Sequence, residues 1–132
     1  MGSKLENILI LGIGGVGMHL ARRLVHEGAS VTVIETDPKL VQEAAETMDA
    51  RVLKGNSMSL SSWRAAEAES MELMIAATND DATNMLSALI ADRFGIERKI
   101  VRVRSLDFEP GSVLPPEELK IDLMVHLSLI HI

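Results

Sequence analysis

A glycine-rich segment placed directly after an apolar run constrains the fold of this chain more than any other feature. Residues 8–11 are all apolar, and with Asn7 they predict a strand buried on both faces. A helical pattern begins at Val16 and runs to Glu27. Between them lies the turn made of Gly12, Ile13, Gly14, Gly15, Val16 and Gly17. Strand, glycine turn and helix in this order predict a phosphate-binding βαβ unit.

Each glycine of the pattern has its own predicted role. Gly12 permits the tight turn, a side chain at Gly14 would hold a pyrophosphate away from the backbone, and Gly17 allows close packing of helix on strand. The helix N-terminus offers free N–H groups and partial positive charge to an anion. Glu35 ends the second strand, where a carboxylate accepts hydrogen bonds from ribose hydroxyls and repels the 2′-phosphate of NADP. The alternative is a glycine turn that serves packing alone.

Apolar runs alternate with amphipathic stretches along the whole chain, which is typical of an α/β fold with a parallel sheet. The sequence predicts strands at 7–11, 30–34, 51–54, 73–77 and 99–104, and helices at 16–27, 38–48, 59–69 and 81–94. We therefore predict a Rossmann-like, doubly wound parallel sheet with the strand order 3-2-1-4-5. A short sixth strand at Leu123–Val125 is left open.

Polar residues follow the third and fourth strands at the carboxyl edge, where doubly wound sheets bind their ligands. Thr78, Asn79 and Asp80 come after the fourth strand, and they either contact ribose and phosphate or cap the next helix. Asn56 and Ser57 come after the third strand, and they either read an adenine edge or form a simple turn.

Two further groups of side chains are ambiguous or unpromising. Arg102 lies on the fifth strand and is either a phosphate or carboxylate partner in the crevice or part of a solvated edge-strand face. The four histidines lack the spacing of metal ligands, so no metal site is predicted.

Composition excludes several classes of function. The chain has 132 residues, the size of one domain, and a net charge of −6, which does not suit the binding of nucleic acid. It has no cysteine and no tyrosine, so disulfides, thiolate chemistry and a tyrosine general acid are absent. Apolar runs stay far below the roughly twenty residues of a membrane span, which predicts a soluble cytoplasmic domain.

Five segments together resemble the N-terminal nucleotide-binding domain of TrkA-type potassium-uptake regulators, the RCK or KTN domain. They are ILILGIGGVG, VTVIETDP, RVLKGNSMS, LMIAATNDDATNML and KIVRVRS, and the resemblance runs from about residue 8 to residue 125. It implies an adenine-nucleotide sensor without chemistry of its own, which binds NAD, NADH, ATP or ADP. It also implies dimers or rings that dock at the inner face of the membrane on a potassium transporter or channel.

The resemblance also implies a role for each position of the predicted site. The turn from Gly12 to Gly17 would hold the phosphates and Glu35 the ribose, with Thr36 and Asp37 beside it. Asn56 and Ser57 would approach the adenine, although many family members have Asp at the first of these positions. Thr78, Asn79 and Asp80 would line the crevice, and Arg102 would approach the phosphates or the dimer partner.

Domain boundaries follow from the same resemblance. Residues 1–126 are expected to form the nucleotide-binding domain, residues 127–132 depart from the family pattern and are expected to be non-native, and the C-terminal ligand domain is expected to be absent. Two rival functions stay open: the cofactor-binding half of an NAD-dependent oxidoreductase, and a nucleotide-free dimerisation module. The shortage of residues after the fifth strand argues against a complete dehydrogenase.

Overall fold

A six-stranded parallel sheet forms the centre of the computed structural model, which describes residues 6–105 and 111–126. The strands are β1 (Asn7–Leu11), β2 (Ser30–Glu35), β3 (Arg51–Lys54), β4 (Leu73–Ala76), β5 (Arg98–Arg102) and β6 (Leu123–Val125). The helices are α1 (Val16–His26), α2 (Pro38–Thr47), α3 (Leu60–Ala65) and α4 (Asp81–Arg93), with single 3-10 turns at Ala68–Ser70 and Pro116–Leu119. The order β3-β2-β1-β4-β5-β6 confirms the predicted doubly wound sheet and adds the sixth strand, which pairs in parallel with β5.

Two hydrophobic layers hold the helices on the sheet. Along β1 the side chains alternate, so that Leu9 and Leu11 enter the layer that contains Trp63, and Ile8 and Ile10 enter the other. The first layer joins α3 and α4 to the sheet, and the second joins α1 and α2. Each of these aliphatic side chains is almost completely buried, and burial of one contributes about 1.5–3 kcal/mol. The strand is apolar throughout because both of its faces are covered.

The direction of the winding reverses next to β1, and this reversal positions the site. β1 pairs with β2 on one side and with β4 on the other, so the connections from these strands leave in opposite directions. A crevice therefore opens at the carboxyl ends of β1 and β4. Gly12 and Thr78 meet there, and a Cβ on Gly12 would lie 2.9 Å from the Cα of Thr78.

The structure corrects three details of the predicted elements. The third helix ends at Ala65 rather than continuing to residue 69, because Glu67 adopts a left-handed backbone (φ 57°) before a 3-10 turn. The apolar pattern of residues 38–48 also predicts Ala45 on the buried side of α2, and the structure shows it exposed. β5 ends at Arg102 because the N–H groups of Arg104 and Ser105 donate to the Asp81 carboxylate, at 2.9 Å each.

The sixth strand is fixed by a buried lysine, so β5 is not an edge strand. The Lys99 ammonium donates to the carboxylate of Asp92 at 3.2 Å and to the carbonyl of Ile96 at 3.0 Å. The main-chain N–H of Lys99 donates to the Asp122 carboxylate at 2.8 Å, which brings the segment before β6 against β5.

Within the ranges that the structure describes, no helix is long and apolar enough to cross a bilayer.

Candidate functional site

A cavity of about 500 Å³ opens at the carboxyl ends of the central strands. Ten of the residues that line it were predicted as site residues: Gly12, Gly14, Glu35, Thr36, Asp37, Asn56, Ser57, Thr78, Asn79 and Asp80. Five more lining residues were not predicted: Ile34, Leu40, Gly55, Ala77 and Thr83. The fold thus brings the three polar segments after β2, β3 and β4 to the mouth of the glycine turn.

The glycines of the turn are required for different reasons. Gly12 has a positive φ of 85°, and a Cβ on Gly17 would lie 1.9 Å from the carbonyl oxygen of Gly12. These two glycines are needed for the turn itself and for the contact between α1 and β1. A Cβ on Gly14 would have one neighbour within 4 Å, a methyl group of Leu40 at 4.0 Å. Gly14 is thus not required by packing, and its backbone faces open space in the cavity.

The beginning of α1 offers unpaired donors to this space. Gly15 is the N-cap, and it makes no side-chain capping hydrogen bond. Among the described residues, no group accepts a hydrogen bond from the main-chain N–H of Gly14, Gly15 or Val16. Free N–H groups and the positive end of a helix dipole favour an anion at this position.

The Glu35 carboxylate is fixed at the glycine turn. Its Oε1 accepts a hydrogen bond from the N–H of Ile13 at 2.7 Å, and its Oε2 accepts one from the N–H of Asp37 at 2.9 Å. The hydroxyl of Thr36 adds a longer bond to Oε2 at 3.4 Å. Each carboxylate oxygen has two acceptor positions, so capacity remains for a ligand hydroxyl. The carboxylate is held in place before any ligand arrives.

The segment after β3 is both a turn and part of the cavity wall. Asn56 Oδ1 accepts a hydrogen bond from the N–H of Met58 at 2.8 Å, which closes the turn. The carbonyl of Ser57 accepts one from the indole Nε1 of Trp63 at 2.7 Å. The structure thus shows the turn that was one alternative predicted for Asn56, and the residue also lines the cavity, while its contact with an adenine edge stays a prediction.

Asp80 has the capping role that was one of its two predicted alternatives, while its contact with a ligand stays a prediction. Its carboxylate caps α4 by accepting hydrogen bonds from the hydroxyl of Thr83 at 2.5 Å and from the N–H of Thr83 at 3.0 Å. These two hydrogen bonds, the hydroxyl first, lower the pKa of Asp80 from its ordinary value of 3.8. The residue is therefore charged at neutral pH and lines the cavity as an anion.

Asn84 supports the wall from behind and was missed by the sequence analysis. It is fully buried in α4, and its side chain accepts from the N–H of Thr78 at 3.0 Å. Its amide donates to the carbonyls of Thr78 at 2.9 Å and Arg102 at 2.8 Å, which joins the ends of β4 and β5. An amide side chain among the apolar residues of a helix was the available signal, because a buried amide needs partners.

Five predicted site residues do not line the cavity: Ile13, Gly15, Val16, Gly17 and Arg102. The side chain of Ile13 is buried in the core, so only its main chain reaches Glu35. Arg102 lies behind the cavity wall, where its Nη1 donates to the carbonyl of Thr78 at 3.3 Å and to Asn79 Oδ1 at 3.2 Å. Its Nε is buried and has no partner among the described residues.

The cavity has two parts of different charge, an acidic lining and a group of main-chain N–H donors. Its lining contains the carboxylates of Glu35, Asp37 and Asp80 and no lysine or arginine. Carboxylates suit hydroxyl and amino donors, such as those of a ribose or a base, and repel phosphate. The anion-binding capacity lies instead in the main-chain N–H groups at the start of α1. A ligand with one anionic and one donor-rich part matches this arrangement.

A second groove, of about 720 Å³, lies at the opposite edge of the sheet, around the first residues of β1, β2 and β3. The guanidinium of Arg51, which lines it, is already paired with Glu67 at 2.9 Å and with the carbonyl of Ala65 at 2.6 Å. Ligands of doubly wound folds bind at the carboxyl edge, so we assign the candidate site to the smaller cavity.

Comparison with known proteins gives matches that include the residues of the candidate site. The family described as the TrkA-N domain matches residues 8–125. A Trk system potassium uptake protein TrkA homolog of Methanothermobacter thermautotrophicus is 34% identical over 102 residues, which are 77% of this chain and 47% of the relative. The chain thus spans less than half of the length of this relative.

Solved structures share the fold. The TrkA-N domain of inner membrane protein ybaL from Escherichia coli superposes with a TM-score of 0.79 at 21% identity, over 95% of this chain and 90% of that one. The GsuK channel bound to NAD gives a TM-score of 0.71 at 20% identity, over 92% of this chain and 21% of that one. GsuK has also been solved bound to ADP.

Proposed function

The chain belongs to the TrkA-N domain family, and from that premise we propose that it is the regulatory nucleotide-binding domain of a Trk-type potassium uptake system. Its ligand is NAD or NADH, with ATP or ADP as alternatives. Binding changes the conformation of the assembled regulator, which in turn gates potassium transport. The partner is a membrane potassium transporter or channel, and the domain lies in the cytoplasm at the inner face of the membrane as part of a homodimer or larger ring.

One observation carries the proposal: the Glu35 carboxylate is held beside the open glycine turn by the N–H of Ile13 at 2.7 Å. A dinucleotide or a nucleoside diphosphate has a diphosphate for the N–H groups of Gly14 and Gly15 and ribose hydroxyls for the carboxylate. The names of the relatives supply the transport context. The GsuK structures supply examples of NAD and ADP on the same fold.

Calorimetry with NAD, NADH, ATP and ADP on the purified chain tests the proposal. We expect at least one of the four to bind, and we expect Glu35→Ala to weaken binding severalfold or more. Glu35→Gln is the matched control, because it keeps an acceptor for the N–H of Ile13 and removes the charge. Relative to NAD, the affinity for NADP should rise in Glu35→Gln, since the repulsion of the 2′-phosphate is removed. Unchanged affinities in both variants contradict the ribose role.

The domain is proposed to act by binding alone, without a chemical step. Hydride transfer requires a proton donor or acceptor beside the reacting ring. The three acids that line the cavity already accept main-chain hydrogen bonds: Glu35 in the turn, Asp37 at the cap of α2 and Asp80 at the cap of α4. Bound nucleotide should therefore be recovered unchanged by chromatography after prolonged incubation. Conversion of NADH or hydrolysis of ATP in proportion to protein concentration would instead support the oxidoreductase or another enzyme.

A further inference from the structure

Trp63 connects the wall of the cavity to the hydrophobic core behind it. Its indole is fully buried in α3, and Nε1 donates a 2.7 Å hydrogen bond to the main-chain carbonyl of Ser57, which lines the cavity. The ring stacks on Phe94 at the end of α4, with centroids 5.8 Å apart and an angle of 6° between the planes. A purely apolar side chain would fill the same space without a directional bond to the wall.

The segment Gly55-Asn56-Ser57 is braced on α3 at both ends. A Cβ on Gly55 would lie 2.6 Å from the hydroxyl oxygen of Ser62, so the backbone of Gly55 packs closely on that helix. At the other end the carbonyl of Ser57 is held by the indole of Trp63. The segment is therefore braced by α3 in addition to the sheet, where the N–H of Gly55 donates to the carbonyl of Glu35 at 2.9 Å.

Two polar groups of this segment are uncommitted. Asn56 Oδ1 is used by the N–H of Met58, which leaves the amide Nδ2 as a donor. Within the described residues, neither this amide nor the hydroxyl of Ser57 has a hydrogen-bond partner. A donor that faces N1 of a purine would distinguish the two bases, because N1 accepts a hydrogen bond in adenine and carries a proton in hypoxanthine. A donor that faces a donor leaves both unpaired, which is how binding sites reject near-isosteres.

We infer that Trp63 is a positioning residue for base selection: by holding the Ser57 carbonyl, it keeps the Asn56 amide in the orientation that prefers adenine to hypoxanthine. The inference rests on the proposed nucleotide binding. A segment released from the indole would turn its amide and accept either base, so loss of the bond lowers selectivity more than it lowers affinity.

The test compares the affinities for ADP and inosine diphosphate by calorimetry. Trp63→Phe removes the indole N–H and keeps an aromatic ring in the core. We expect the affinity ratio of ADP to inosine diphosphate to fall about three- to tenfold, which corresponds to a loss of about 0.7 to 1.4 kcal/mol of discrimination. Phe94→Leu is the matched control, because it removes the stacking partner and leaves the bond from Trp63 to Ser57. Its ratio should equal that of the unaltered chain.

A measurement of tryptophan fluorescence uses the unaltered chain, so it does not depend on whether a variant folds. Trp63 is the single tryptophan, and the chain has no tyrosine, so emission reports on this residue. ADP should change the emission, because its base contacts the braced segment, whereas inorganic pyrophosphate should not. No change with bound ADP overturns the inference.

Three further outcomes are informative, two from the variants and one from the unaltered chain. An unchanged ratio in Trp63→Phe overturns the positioning role. An equal fall in Trp63→Phe and Phe94→Leu assigns the effect to core packing and overturns it as well. Absence of binding of any nucleotide to the unaltered chain contradicts the proposed function itself, and this result is distinct from binding without selectivity.

Discussion

At the scale of single residues, we expect substitutions at two glycines of the same turn to have different effects, one on nucleotide binding and the other on stability. Gly14→Val should leave the fold intact, because a Cβ there has one neighbour at 4.0 Å, and should abolish nucleotide binding by excluding the diphosphate. Gly17→Ala should destabilise the chain strongly, because its Cβ would lie 1.9 Å from the carbonyl oxygen of Gly12. Urea unfolding and calorimetry separate the two effects. Tight binding by Gly14→Val would place the ligand elsewhere.

Asn84 supports a second prediction at this scale. Asn84→Ala leaves the N–H of Thr78 and the carbonyl of Arg102 without their partner at a fully buried residue, while the carbonyl of Thr78 keeps the Arg102 guanidinium. An unsatisfied buried polar group costs about 1–3 kcal/mol, so we expect a loss of about 3 kcal/mol in the free energy of unfolding.

The exposed Gln42 of α2 lies outside this network and serves as the control for Asn84, since surface substitutions usually change stability by about 0.5 kcal/mol or less. Unfolding by urea compares Asn84→Ala with Gln42→Ala. Equal losses in the two variants would show that the buried network contributes little.

At the scale of elements, the cap of α4 makes the free energy of unfolding depend on pH at acidic pH. Hydrogen bonds from Thr83 lower the pKa of Asp80 in the folded state below its ordinary value of 3.8. The stabilisation is therefore fully present above pH 3.8 and is lost as the pH falls through the lowered pKa. Asn is a comparable cap without a charge, so Asp80→Asn should lose less stability than the unaltered chain on acidification.

Two measurements check this acid dependence. Unfolding transitions of the unaltered chain and Asp80→Asn should diverge below pH 3.8 and run parallel above it. Titration of the Asp80 carboxyl by NMR should show its pKa rising in Thr83→Val, because the hydroxyl bond is the largest cause of the lowered value. A pKa that stays unchanged in this variant contradicts the assignment.

The elements themselves were largely predictable from local sequence. β1 and β3 begin and end as predicted, and the sixth strand that was left open is present at Leu123–Val125, because apolar runs and flanking turn residues are local signals. The end of α3 was not predictable, since the left-handed backbone of Glu67 is a conformation that few non-glycine residues adopt. The end of β5 depends on the Asp81 carboxylate, which lies more than twenty residues earlier in the chain.

For the candidate site, the sequence predicted the positions but not the contacts between them. Gly12 and Glu35 follow from spacing, because the fold places the ends of β1 and β2 side by side. The partners of Asn84 and the bond from Trp63 to Ser57 could not be predicted, since no periodic pattern encodes the pairing of one buried polar atom with another. The difference is physical: periodicity reports burial, whereas hydrogen-bond pairing depends on tertiary geometry.

At the scale of the whole molecule, gating by a nucleotide requires coupling between binding and the arrangement of paired domains. A ligand shifts an equilibrium only by its difference in affinity for the two states. If the favoured arrangement also differs from the monomer in its affinity for nucleotide, linkage requires the dimerisation constant to change with nucleotide. Coupling of this kind is typically about 5- to 150-fold.

Sedimentation velocity over a range of protein concentrations measures this dependence. We expect the dimerisation constant of the chain to differ between saturating NAD, saturating ADP and no nucleotide. Gly14→Val is the control, because it should associate to the same extent under all three conditions. If calorimetry detects binding while the dimerisation constant of the unaltered chain stays constant, the nucleotide does not act by changing the association of the domains. Its effect on transport would then have to pass through a rearrangement within the dimer or through a contact with the transporter itself.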